Sequence, residues 1–175
     1  DYSKHFFLVP LQVHNDAQVH VHSPYKSVVD FIESVIASFV KNAPHESLLV
    51  IKHHPMDRGY HDYTDEIRQL SIAYNAPDRI LYIHDQHLPT LLQHSAGVVL
   101  INSTVGLSTL HHNIPLKVCG DAIYDMHGLT FQESLDDFWI GSRNFKINTR
   151  LYISFVSYLI GMTQFNGSFY RKLPD

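Results

Sequence analysis

Short apolar runs alternate along the chain with longer stretches in which apolar residues recur every three or four positions. The runs over 6–13, 48–52, 79–83, 97–101 and 116–119 read as strands, and 48–51 and 97–101 are apolar throughout, as strands buried on both faces must be. Pro10 inside the first run predicts a distortion there. Between the first two runs, Val28, Phe31, Ile32, Val35, Ile36, Phe39 and Val40 mark the buried stripe of a helix. Ser23 followed by Pro24 reads as its cap and first residue, and the helix is expected to stop near 42–44. Further helices are predicted over 64–74 (Ile67, Leu70 and Ile72 inward), 88–94 and 106–112. No hairpin signal interrupts the alternation. The predicted fold class is therefore α/β, a Rossmann-like parallel sheet with helices on both faces. Right-handed crossovers would gather the loops 14–18, 53–58, 84–87, 102–106 and 120–125 on one edge, where open parallel sheets bind ligands.

The last third departs from this rhythm. A short peripheral segment over 123–131 and a helix over 134–139 precede a long aromatic-rich helical pattern over 143–162, with Phe145, Leu151, Tyr152, Phe155, Tyr158 and Leu159. Its basic start (Arg143, Lys146, Arg150) suits a membrane-surface helix; packing on a partner domain outside this chain is the preferred expectation. No run approaches the roughly 20 apolar residues of a membrane span.

Composition narrows the function. At 175 residues, 45% apolar and 17% charged, the chain can build one core. A net charge of -4 argues against a nucleic-acid partner. The single cysteine, Cys119, excludes an internal disulfide framework, fits a reducing compartment and is expected to be an inert core thiol. The start, Asp1-Tyr2-Ser3-Lys4-His5, carries neither an initiator methionine nor a signal peptide, and suggests a piece or a processed product. Of the 14 histidines, His20 and His22 would share one face if their segment were a strand, a possible metal pair. No cysteine or carboxylate cluster accompanies them, and no metal is expected.

Two strand ends carry the candidate chemistry. Lys52, His53 and His54 close the second strand, and Pro55 turns the chain out of the sheet. This loop is expected to grip the phosphate of a nucleotide. Asn102-Ser103-Thr104-Val105-Gly106 joins a buried strand to a helix, so its hydroxyls, amides and glycine can seat an anion, or Ser103 or Thr104 can merely cap the helix. The spacing is neither a P-loop nor Gly-x-Gly-x-x-Gly, and no Asp-x-Asp suggests a metal-bound nucleotide sugar.

The run Ile51-Lys52-His53-His54-Pro55-Met56-Asp57-Arg58-Gly59-Tyr60, followed by Asn102-Ser103-Thr104-Val105-Gly106-Leu107-Ser108 and Tyr124-Asp125-Met126, resembles the capsule polysaccharide biosynthesis family. Within it, the likeness is to the KpsS/LipB-type retaining β-Kdo transferases of two-domain GT-B architecture, and it extends from residue 10 to about 170. The resemblance implies a C-terminal half: a donor-binding domain over 1–142, then a helix and tail over 143–175 that pack on an N-terminal, acceptor-binding domain. It implies CMP-Kdo as donor, a phosphatidylglycerol-type lipid as acceptor, and no cofactor or metal. Linker synthesis for capsule export would take place at the cytoplasmic face of a Gram-negative inner membrane, with the enzyme peripherally attached and a companion Kdo transferase and the export machinery as partners.

By the same resemblance, His53, His54, Pro55, Asn102, Ser103, Thr104 and Gly106 would hold the nucleotide and its phosphate. Gln12-Val13-His14-Asn15-Asp16 matches the family's motif near the domain junction. Asp16 would be the catalytic carboxylate, as nucleophile or base, or else only a turn residue. His54 would stabilise the departing CMP and, if protonated, act as an acid toward it. Gln12, His84, Asp85 and Asp121 would contact base or ribose, or else His84, Asp85 and Asp121 only cap their loops. The rival readings are a UDP-sugar or CDP-polyol donor on the same fold, and a non-catalytic export scaffold.

Overall fold

The computed structural model describes residues 3–163. Among them, five strands form one sheet: β1 (Phe6–Pro10), β2 (Leu48–Lys52), β3 (Ile80–Ile83), β4 (Gly97–Leu100) and β5 (Leu116–Val118). The order is β3-β2-β1-β4-β5, and every pairing is parallel. The helices are α1 (Ala17–Val21), α2 (Val28–Asn42), α3 (Thr64–Ala73), α4 (Leu88–His94), α5 (Val105–His111), α6 (Leu135–Gly141) and α7 (Thr149–Thr163).

Strand alternation sorts the core into two layers. Phe7, Val9, Leu49, Ile51, Val99 and Ile101 face one side, where they meet Phe31, Val35 and Phe39 of α2, Ile67 of α3, and Phe138 and Trp139 of α6. Phe6, Leu8, Val50, Val98 and Leu100 face the other, against Leu92 of α4, Leu110 of α5, and Leu129 and Ile147. Each such side chain, once withdrawn from water, contributes about 1.5–3 kcal/mol. The sheet is thus covered on both faces, as its apolar strands require. From β1 the chain steps outward through β2 to β3, then returns to β4 on the other side of β1. The stepping direction reverses between β1 and β4, and the crevice beyond their carboxyl ends is the topological switch point.

Several local expectations are revised. Residues 17–21 are helix rather than polar loop or strand: Asp16 caps α1, which buries only Val19. His20 therefore lies in a helix and His22 at its end, so they are not a same-face strand pair. Ser23 does not start α2, because its hydroxyl turns back to the Val19 carbonyl, at 2.6 Å, and Ser27 caps the helix instead. β1 ends at Pro10 rather than at 13. The long pattern over 143–162 is broken: Ser142–Asn144 is a 3-10 turn, and Asn148, which accepts the Leu151 N–H at 3.0 Å, precedes the start of α7. Leu151, Tyr152 and Phe155 pack on the second core layer, while Ile153, Tyr158, Ile160 and Met162 are exposed. The expected tail beyond 163 lies outside the described residues.

Candidate functional site

At the switch point, residues that follow four strands enclose a cleft of about 430 Å³, within the range of roughly 300–1,000 Å³ typical of small-ligand sites. Gln12, Val13, Asp16 and Gln18 come from the β1 side, His54 from β2, Asn102, Ser103, Thr104 and Leu107 from β4, and Asp121, Ala122, Ile123 and Tyr124 from β5.

Gln12 is buried at the centre of this arrangement. Its Nε2 donates to Asp16 Oδ2 at 3.0 Å and to Asn102 Oδ1 at 2.9 Å, and its Oε1 accepts the Asn102 N–H at 3.1 Å. Asp16 Oδ1 accepts the Gln18 N–H at 2.9 Å, so its carboxyl is held at both oxygens while it lines the cleft. Asn102 donates from Nδ2 to the carbonyls of Gln18 and His22, at 3.0 and 3.1 Å. Both ends of the Asn102 amide are thereby engaged in joining α1 to β4. Gln12 and Asn102 act here as framework.

His54 presents one ring nitrogen. Its Nδ1 accepts the Met56 N–H at 3.2 Å, so the neutral ring carries its proton on Nε2, free to donate to a ligand. Burial holds this imidazole below its ordinary value against the opposing pull of Asp57. In the same cleft, the Ser103 hydroxyl accepts the Val105 N–H at 3.2 Å and Thr104 caps α5 without a side-chain bond. The Tyr124 hydroxyl donates to the Ser103 carbonyl and fixes this turn. Gly106 is not among the lining residues: it lies under Tyr124, whose ring would stand 2.5 Å or less from any Cβ added there. Its bare backbone admits the tyrosine rather than a phosphate.

His53, His84 and Asp85 are not brought into this cleft. Successive strand residues point to opposite sides, and His53 turns into a second pocket of about 330 Å³ with Arg58, Gly59, Tyr60, His61, Asp62 and His84. Asp85 pairs with Arg58 at the surface. Pro55 opens the 3-10 turn Pro55–Asp57 and is exposed. The buried Lys52 donates to the carbonyls of His84 and His53, at 3.0 and 3.4 Å, and so ties the ends of β2 and β3. Cys119 is half-buried against the first core layer, and burial pushes its thiol up to about 11.

Two residues without a role in the sequence reading stand out. Asp57, fully buried, accepts both the backbone N–H of His14 at 2.9 Å and its ring Nδ1 at 2.7 Å. This links the loop that carries Asp16 to the loop that carries His54. The His14 ring stacks on His61 at 5.5 Å. The partners are 43 residues apart, and only the proline-turned strand end hinted that Asp57 would fold inward.

Comparison with known proteins agrees with this architecture. Residues 1–170 match the family described as "Capsule polysaccharide biosynthesis protein". The chain is 50% identical over 165 residues to the capsule polysaccharide export protein KpsS of Escherichia coli, covering 94% of this chain and 42% of that protein. It is 43% identical over 169 residues to the capsule polysaccharide modification protein LipB of Neisseria meningitidis, covering 96% of this chain and 40% of that one. The chain thus spans about two fifths of the length of these relatives. Among solved structures, it superposes with a TM-score of 0.55 and 23% identity on the Thermosulfurimonas dismutans KpsC, a β-Kdo 2,7-transferase, over 79% of this chain and 45% of that one. That likeness establishes the shared α/β Rossmann-like fold. Together with the strand-end motifs and the switch-point cleft, the family match settles kinship: this chain belongs to the capsule polysaccharide biosynthesis protein family.

Proposed function

We propose that the chain is the donor-binding, C-terminal half of a GT-B glycosyltransferase that moves Kdo from CMP-Kdo to a phosphatidylglycerol-type lipid during capsule linker synthesis. The observation that carries this reading is the meeting of His54, Asp16 and the Ser103-Thr104 turn in one switch-point cleft. His54 Nε2–H and the hydroxyls of Ser103 and Thr104 donate to the CMP phosphate. Negative charge on that phosphate grows as the glycosidic bond breaks, so donors fixed beforehand favour the transition state over the bound donor.

Asp16, held by Gln12 and the Gln18 N–H, is the reacting carboxylate. It attacks the anomeric carbon as CMP leaves and is displaced in turn by the acceptor hydroxyl, whose proton passes to the phosphate of the CMP still seated at His54; the two displacements together retain configuration. Asp121 at the rim contacts ribose or base, and no metal takes part. The companion Kdo transferase and the export machinery act alongside, with the protein attached peripherally to the cytoplasmic face of the inner membrane. Among the described residues, no helix is long and apolar enough to cross a membrane.

The test is calorimetry with CMP, UDP and CDP. Preference for CMP, lost in His54→Ala, supports the reading; preference for UDP, or equal binding by the variant, overturns it. A capsule left intact by His54→Ala in the full-length protein would favour a non-catalytic scaffold.

A further inference from the structure

The second pocket, on the far side of the β2 loop, has chemistry of its own. His53 is 3% exposed, and its ring stacks on His84 at 4.6 Å. Its Nδ1 lies 2.6 Å from the Tyr82 hydroxyl, which itself accepts the Tyr63 N–H at 3.4 Å. In the tautomer this site requires, the Tyr82 hydroxyl donates its proton to His53 Nδ1. The imidazole proton of neutral His53 then sits on Nε2. That Nε2 is buried and has no hydrogen-bond partner among the described residues. A buried N–H without an acceptor is destabilising, and a ligand oxygen would satisfy it.

The surrounding groups include N–H donors for an anion beside one carboxylate, Asp62. Arg58, His61 and His84 line the pocket beside His53. Three carboxylates stand near: Asp57 is bound to His14, Asp62 lines the pocket with Oδ1 accepting the Thr64 N–H at 2.7 Å, and Asp85 pairs with one nitrogen of Arg58, whose side chain is 60% exposed and keeps other donors free. The exposed Tyr60 forms part of the wall.

We propose that this pocket is an oxyanion site, separate from the nucleotide cleft, in which His53 Nε2–H and Arg58 take a phosphodiester or carboxylate oxygen of a second substrate group. Such a group is carried by a lipid headgroup or by a sugar acid, and both present a singly charged oxyanion at the same sheet edge as the cleft.

The test is a titration of the whole chain followed by the imidazole ¹H–¹⁵N signals, assigned with His53→Gln and His54→Gln. The probes are dimethyl phosphate and acetate, with glycerol as the uncharged control and ionic strength held constant. The expected result is a protonated His53 Nε2 whose signal shifts saturably with either monoanion and not with glycerol, with affinity about tenfold weaker in Arg58→Ala. A preference for dimethyl phosphate assigns the site to a phosphodiester headgroup, and a preference for acetate assigns it to a sugar acid. An unprotonated Nε2, no shift with either monoanion, an equal shift with glycerol, or undiminished binding by Arg58→Ala overturns the proposal. CMP is read separately at His54, so failure of the nucleotide reading leaves this result standing.

Discussion

Asp57 binds His14 twice, through the backbone N–H at 2.9 Å and through ring Nδ1 at 2.7 Å, with its own side chain fully buried. Asp57 follows His54 by three residues, and His14 precedes Asp16 by two. One buried carboxyl therefore sets the spacing of the two loops that supply the proposed phosphate donor and the proposed nucleophile. The cleft is a product of this tie as much as of the sheet.

Removal of that carboxyl in Asp57→Ala leaves the His14 N–H without its acceptor. A loss of about 3 kcal/mol of stability is expected, read as a lower urea midpoint at unchanged slope. CMP affinity should fall with it, even though Asp57 does not line the cleft.

His54→Ala should behave in the opposite sense. Its half-buried ring makes one local bond within its own turn, so stability should change little. Loss of a donor to a charged phosphate should weaken CMP binding by about tenfold or more, measured by calorimetry.

Gly106→Ala tests the floor of the cleft. A Cβ there would lie 2.4 Å from the Tyr124 ring, so the ring must move and its hydroxyl must leave the Ser103 carbonyl. Destabilisation of about 1–3 kcal/mol is expected from overpacking, together with weaker CMP binding. Tyr124→Phe, which keeps the ring and removes only the hydroxyl, should lose about 1 kcal/mol.

Acid should destabilise the protein through His53 and His54. Burial lowers both imidazoles from 6.5 in the folded state. Between that value and the lowered ones the unfolded chain binds more protons, so stability falls as pH drops through the window. Melting temperature should be flat above about pH 7.5 and decline below about 6.5, with a shallower decline in the His53→Gln, His54→Gln double variant. The hydrogen bond to Thr64 holds Asp62 below its ordinary value of 3.8, so its contribution is lost only at still lower pH.

β2 and β4 were legible because their apolar runs are short, rich in β-branched residues and buried on both faces; Val98–Ile101 and Leu49–Ile51 could be little else. α1 was not, since it buries a single valine and depends on the cap at Asp16. The start of α2 is not legible either, because Ser23-Pro24 and Ser27 both look like caps and a contact with the Val19 carbonyl decides between them. His54, Ser103 and Thr104 were readable as strand-end residues on one edge. The divergence of His53 from His54 was also available, from the two-residue period of the strand that precedes them. The Asp57–His14 tie and the place of Gly106 under Tyr124 were not, because each depends on a partner far along the chain.

The most direct measurement is a crystal structure of the chain grown with CMP. The account predicts the phosphate in the switch-point cleft, with oxygens about 3 Å from His54 Nε2 and from a hydroxyl of Ser103 or Thr104. A phosphate bound away from His54, or a nucleotide seated in the pocket of His53 and His84 with the cleft left to water, would contradict it.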